Sequence, residues 1–137
     1  MDSQALEQSM LRKLLRRFRG FFSVGMLTFT LDLLIVFILY QLLSMPLAYA
    51  LITGFIIGIT LNYLLNYHYV YAGTQRHIIH GFFIFITLAI ISIIIITQST
   101  VFLVDVGVNA YVARITVGAM LGVTSFFLNT FFNFKLV

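Results

Sequence analysis

Four long runs of apolar residues constrain this chain more than any motif does. They cover about 21–43, 47–66, 82–104 and 110–134, and each is close to the 20 or so residues with which an α-helix crosses a bilayer. Only 9% of the residues are charged, whereas a soluble domain has about 25%. The sequence therefore predicts an all-α, polytopic membrane protein with four transmembrane helices.

The first 20 residues differ in composition from the rest of the chain. Five of the eight Lys and Arg residues lie there, and the apolar residues between them recur at helical spacing. The cations are Arg12, Lys13, Arg16, Arg17 and Arg19. We expect 1–20 to form a basic amphipathic arm, which either sets the topology or lies flat on an anionic leaflet, and 21–137 to form the four-helix transmembrane domain.

The placement of the basic residues predicts the orientation of the spans. With these boundaries, seven of the eight Lys and Arg residues fall on one side of the membrane, and the two turns on the other side contain none. Loops rich in Lys and Arg stay in the cytoplasm. Both termini are therefore predicted to be cytoplasmic.

The second and fourth runs end in similar patterns. Each has two asparagines four residues apart, preceded by two glycines four residues apart. This similarity predicts two helical hairpins repeated in the same orientation. Corresponding asparagines of the two copies are 67 positions apart, whereas corresponding residues near the outer ends of the spans are 63–64 positions apart. The difference predicts about one extra turn in the fourth span. The asparagines are Asn62, Asn66, Asn129 and Asn133, and the glycines are Gly54, Gly58, Gly118 and Gly122.

The glycines and asparagines have two interpretations. Small residues let helices approach closely, and asparagine side chains hydrogen-bond across helix contacts because lipid offers them no partner. We expect the glycines to serve helix packing. Asparagines at matched depth also suit a polar vestibule that binds the hydrophilic group of a substrate, so both roles stay open for them.

Two ionisable residues lie inside predicted spans. Asp32 is halfway through the first span, and Arg114 is about one turn inside the outer boundary of the fourth. A charge at the bilayer centre costs about 2.5–3.5 kcal/mol on insertion scales, so each side chain needs a partner or water. They either pair with each other or bind substrate, with Arg114 suited to phosphate and Asp32 to a sugar hydroxyl, cation or proton; Arg114 is also shallow enough to reach the outer headgroups.

The sequence indicates no catalytic chemistry. It contains no cysteine, no nucleophile elbow, no glycine-rich phosphate loop and no paired carboxylates. The two residues His77 and His80 have a spacing that places both rings on one helix face, but no third ligand lies near them in sequence. We therefore predict a protein that is not an enzyme, with no cofactor, no metal site and no nucleic-acid partner.

Several of these residues together resemble a known family. The segment RGFFSVG at 19–25 enters the first span, Asp32 lies within it, and Asn62 and Asn66 close the second. With Ser125, Phe126 and Asn129 in the fourth, their order over about 16–137 is similar to that of the GtrA-like family. The resemblance implies a bacterial inner-membrane protein that moves polyprenyl-phosphate-linked monosaccharides from the cytoplasmic to the periplasmic leaflet for surface polysaccharide glycosylation.

Two other functions remain open. An accessory scaffold would recruit a membrane glycosyltransferase without moving lipid. A small proton-coupled multidrug exporter would use Asp32 as its coupling carboxylate, although the chain has no Trp to face a cationic drug. For the lipid-moving function, four helices from one copy enclose little volume, so we expect a homo-oligomer or a partner such as a membrane glycosyltransferase, with membrane lipids around it.

Overall fold

The computed structural model describes residues 3–136, apart from the side chains at 47, 48, 51, 96, 110, 111 and 114. Every regular element in this described part is a helix, which confirms the predicted all-helical class. Single π-helical turns continue three of the helices: Ile38–Leu42, Asn66–Val70 and Asn129–Asn133. The four α-helices are α1 (Ser3–Phe37), α2 (Leu47–Leu65), α3 (Ile78–Asp105) and α4 (Ala110–Leu128).

The predicted basic arm and the first predicted span form one helix. α1 runs from Ser3 to Phe37 without interruption, and the π-helical turn extends it to Leu42. The basic side chains at 12, 13, 16 and 19 are exposed along its first half. An arm lying flat on the leaflet would need a break near residue 20, and α1 contains none.

The turns after α1 and α3 follow from local backbone chemistry. Ser44 and Gly107 adopt left-handed conformations, with φ of 52° and 95°, which end the helical hydrogen bonding. Pro46 then precedes α2, where its missing N–H is not needed. Asn109 precedes α4, and its Oδ1 accepts a hydrogen bond of 3.4 Å from the Val112 amide.

The chain divides into two compact units at Gly73, residues 1–73 and 74–137. In the first unit α1 packs against α2, and in the second α3 packs against α4. Both pairs are antiparallel, because the contacts run in opposite directions along the two helices. In the first unit Val36 lies beside Gly54 and Thr28 beside Asn62. In the second, Ser92 lies beside Ser125 and Gly81 beside Asn133. Each unit is thus a helical hairpin.

The two units share one numbering offset. α2 and α4 each have 19 residues and begin 63 positions apart, and the π-helical turns that follow them keep that spacing. The predicted extra turn in the fourth span is therefore wrong. Pairs of residues at this offset share a structural feature. Ser44 and Gly107 both have positive φ. Both members of each of the other pairs are buried: Ala50 and Ala113, Tyr63 and Phe126, Asn66 and Asn129, and Tyr71 and Phe134.

The burial pattern is that of a protein solvated by lipid. Large apolar side chains such as Phe22, Phe29 and Leu33 are more than half exposed. Polar side chains of Thr28, Asn66, Asn129, Thr130 and Asn133 are buried instead. Hydrocarbon accepts apolar surface readily and offers no partner to a polar group, so this inverted arrangement fits a bilayer.

Three helical stretches of the described residues are long and apolar enough to span a membrane. These are Ser3–Leu42, Ile78–Asp105 and Ile115–Asn133. α2 has residues outside the described set at its start and is not among the three. The fourth span stays a prediction.

Candidate functional site

Asp32 lies where α1 crosses α2 most closely. A Cβ atom on Gly54 would be 2.5 Å from Asp32 Oδ1 and 2.7 Å from Val36 Cγ2, and one on Gly58 would be 3.2 Å from Asp32 Cβ. Real Cβ atoms do not approach other atoms at the first two distances. Gly54 and Gly58 therefore leave the space into which the Asp32 side chain fits.

One oxygen of Asp32 has no hydrogen-bond donor. Oδ1 is buried and makes no hydrogen bond within the described part of the chain. The two glycines beside it contribute no side-chain donor. This oxygen is therefore a hydrogen-bond acceptor that the described part of the hairpin leaves unsatisfied.

A chain of hydrogen bonds runs along the same crossing towards the predicted cytoplasmic end. The Thr28 hydroxyl donates to the Val24 carbonyl at 2.8 Å and accepts from Asn62 Nδ2 at 2.8 Å. Asn66 Nδ2 in turn donates to Asn62 Oδ1 at 2.9 Å. Asn62 and Asn66 thus lie on the side of the second helix that faces α1, and Asp32 and Thr28 of α1 lie along the same crossing.

The second unit has its own polar cluster near the end of α4. Asn133 Nδ2 donates to Asn129 Oδ1 and to the Gly81 carbonyl, both at 3.1 Å. Asn129 Nδ2 donates to the Ser125 carbonyl at 2.9 Å. Asn133 Oδ1 and Asn66 Oδ1 are buried without a hydrogen-bond partner in the described residues, so each cluster keeps one amide oxygen unsatisfied.

Gly118 and Gly122 differ from the glycines of α2. A Cβ on either would meet no atom within 4 Å. At the common offset, the counterpart of Gly54 is Val117, which is buried. A shift of one residue turns a helix position by about 100°, so Gly118 lies away from the face that packs on α3.

Arg114 belongs to α4, and its side chain lies outside the described residues. Asp32 and Arg114 are also in different units. Their pairing and the phosphate role of Arg114 both stay predictions.

Arg76 caps the end of the second unit. Its Nε donates to the Asn133 carbonyl at 2.6 Å and its Nη2 to the Phe132 carbonyl at 3.1 Å. The Thr74 hydroxyl donates to the Phe134 carbonyl at 2.7 Å. The last carbonyls of a helix lack intrahelical partners and carry partial negative charge, so a guanidinium there is favourable.

A basic cleft of about 540 Å³ opens beside this cap. It lies between the start of α3 and the segment after Asn133, and an apolar groove of about 260 Å³ adjoins it along α3. His80 lines both. The polar residues of the cleft are Gln75, Arg76, His77, His80 and Lys135, and the groove is completed by Phe83, Ile84, Thr87 and Leu88.

Sequence reasoning did not find this cleft. It placed Arg76, His77 and His80 in an interfacial loop and Lys135 at the end of the last span, 55 residues beyond His80. The available signal was that all four are basic-capable residues at the same predicted membrane face. The predicted hairpin already pairs the third and fourth helices. Whether these four side chains line one cleft depends on which faces of α3 and α4 meet, and the linear order does not reveal that.

The family of the chain is established by its match to a family model. That model, GtrA/DPMS, transmembrane domain, matches residues 20–134, nearly everything after the basic segment. No curated protein and no solved structure matches the chain. The match and the apolar helices make this a multi-pass membrane protein and associate it with glycosylation. As its resemblance indicated, the chain belongs to the GtrA/DPMS transmembrane-domain family.

Proposed function

We propose that this protein moves a polyprenyl-phosphate-linked monosaccharide from the cytoplasmic to the periplasmic leaflet of a bacterial inner membrane, for glycosylation of surface polysaccharide. Family membership supports a role in glycosylation. The observation that carries the transport role is the unpaired, buried carboxylate oxygen of Asp32 at the α1–α2 crossing.

The physical argument starts from what such a lipid requires. Its isoprenoid tail can stay in hydrocarbon, but its phosphate and sugar must cross with their hydrogen bonds replaced. A polar strip on a helix pair is sufficient for this, and a sealed channel is unnecessary. The series Asp32, Asn62 and Asn66, with Thr28, is such a strip.

Each residue has a distinct role in this proposal. Asp32 Oδ1 accepts a hydrogen bond from a sugar hydroxyl, and the free amide oxygen of Asn66 does the same nearer the cytoplasm. Asn129 and Asn133 line the corresponding entry in the second unit, and Arg114 binds phosphate near the outer leaflet. One chain supplies few helices, so the proposal includes assembly with a second copy or with a membrane glycosyltransferase.

The test is leaflet exchange by the full chain in vesicles, with a fluorescent polyprenyl-phosphate sugar and a membrane-impermeant quencher. Asp32→Asn keeps the size of the side chain and removes its charge, so the protein should assemble normally. We expect its exchange rate to fall by about tenfold or more, the loss typical of one charge-assisted contact. Asp105→Asn is the matched control, since Asp105 is exposed at the last residue of α3.

Two results would reject the proposal. If the wild type exchanges lipid and the Asp32→Asn variant exchanges it equally fast, Asp32 takes no part in transport. A wild type that exchanges no lipid, yet retains a glycosyltransferase through purification, would favour the scaffold.

A further inference from the structure

We infer that the basic cleft of the second unit binds the phosphate of an isoprenoid lipid, with the first part of its tail in the adjoining groove. This inference rests on the proposed function and adds a site to it. The juxtaposition that carries it is a cluster of basic side chains that shares one residue, His80, with an apolar groove.

The charge of the cleft fits an anion. Arg76 and Lys135 supply a guanidinium and an ammonium group, and the rings of His77 and His80 add N–H donors. The second unit has one acidic residue, Asp105, at the opposite end of α3. Since 25 residues of helix separate it from His80, about 37 Å, the Asp105 carboxylate is too far away to pair with the cations of the cleft.

The guanidinium of Arg76 is already held in place by two backbone carbonyls. A fixed cation needs no reorganisation when an anion arrives, which lowers the entropy cost of binding. Lys135 is different, because its side chain is exposed and long enough to close over a bound headgroup. Arg76 therefore provides a fixed wall of the cleft and Lys135 a mobile one.

The groove determines the kind of anion. Phe83, Ile84 and Leu88 are apolar and follow one another along α3 directly from His80. Inorganic phosphate would use the cleft and leave the groove empty. An isoprenoid phosphate uses both, because its headgroup and tail meet where the two spaces meet.

The backbone of Lys135 supplies a sharp test. Lys135 has φ of 51°, a left-handed conformation that glycine adopts without strain and other residues adopt at a cost. Lys135→Gly should therefore preserve or raise the melting temperature while removing a cation from the cleft. Ser44→Gly is the matched control, since Ser44 has φ of 52° in the first unit.

The experiment titrates the full chain in phosphatidylcholine nanodiscs and counts bound ligand by native mass spectrometry. The probes are farnesyl phosphate, farnesol, inorganic phosphate and phosphatidylglycerol. We expect farnesyl phosphate to bind best, and Lys135→Gly to weaken it about fivefold or more without affecting farnesol. Ser44→Gly should bind as wild type does. Lys135→Gln removes the same charge with an ordinary side chain and should reproduce the loss if Lys135→Gly alters folding.

Several results would overturn the inference. Equal binding of farnesyl phosphate by the wild type and both Lys135 variants would show that the cleft is not the binding site. Equal binding of inorganic phosphate or phosphatidylglycerol would show that the isoprenoid tail contributes nothing. Measuring leaflet exchange as well distinguishes failure of this inference from failure of the proposed function. If binding depends on Lys135 but no lipid is exchanged, the transport function is rejected and the binding site is retained.

Discussion

Gly54 and Gly118 each begin a pair of glycines four residues apart, yet the space at their α-carbons is different. At Gly54 an added Cβ would overlap the Asp32 side chain, and at Gly118 it would meet nothing within 4 Å. The same residue type thus permits a close helix crossing in one hairpin and leaves an open surface in the other. What glycine does at a position depends on the partner helix.

This contrast predicts opposite effects of one substitution. Gly54→Ala should force α1 and α2 apart or displace Asp32, and lower the free energy of unfolding by about 1–3 kcal/mol. Gly118→Ala adds a methyl group to open space and should be neutral or stabilising by up to about 1 kcal/mol. Thermal unfolding in detergent, followed by circular dichroism, measures both. Equal stability of the two variants would contradict the packing role of Gly54.

At the scale of elements, the segments that form helices follow from apolar composition and turn residues. Ser44 with Pro46, and Gly107 with Asn109, separate the predicted runs, and α3 includes all of the predicted 82–104. The relation between the hairpins was harder to predict. Matching residue types aligned Asn62 with Asn129, whereas the backbone aligns Asn66 with Asn129. Residue identity does not reveal the helix face, and packing against the partner helix decides it.

The Arg76 cap leads to a prediction about the end of the fourth helix. Arg76→Gln removes the donors to the carbonyls of Phe132 and Asn133, so the π-helical turn Asn129–Asn133 should open more often. We expect amide hydrogen exchange at Phe134 and Leu136, which bond back to Asn129 and Thr130, to quicken by about tenfold, the effect of losing about 1.4 kcal/mol.

Hydrogen–deuterium exchange with mass spectrometry of the full chain measures this change. Arg16→Gln is the control, because Arg16 is exposed on α1 and lies in the other unit. Unchanged exchange over 129–136 in Arg76→Gln would mean that the two hydrogen bonds add no protection.

For the whole molecule, the predicted topology places both termini in the cytoplasm, because seven of the eight Lys and Arg residues fall on one side of the membrane. This topology can be tested directly. The chain has no cysteine, so single cysteines can be introduced at Ser3, Met45, Arg76 and Gly107. In intact cells a membrane-impermeant maleimide should label positions 45 and 107 and leave 3 and 76 unlabelled until the cells are lysed. The reverse pattern would invert the predicted orientation.

The length of the first helix has a consequence for what its charged half can meet. With its π-helical turn the helix has 40 residues, or about 60 Å, twice the roughly 30 Å of hydrocarbon. Beyond the predicted membrane edge near Phe21, it continues about 27 Å along its axis as a rod. At physiological ionic strength, salt screens charge within about 8 Å. Arg19 and Arg17 therefore lie close enough to the predicted membrane edge to respond to anionic headgroups. The rod's tip, from Ser3 to Met10, extends about two to three screening lengths along the axis, so its side chains are expected to meet molecules dissolved in water.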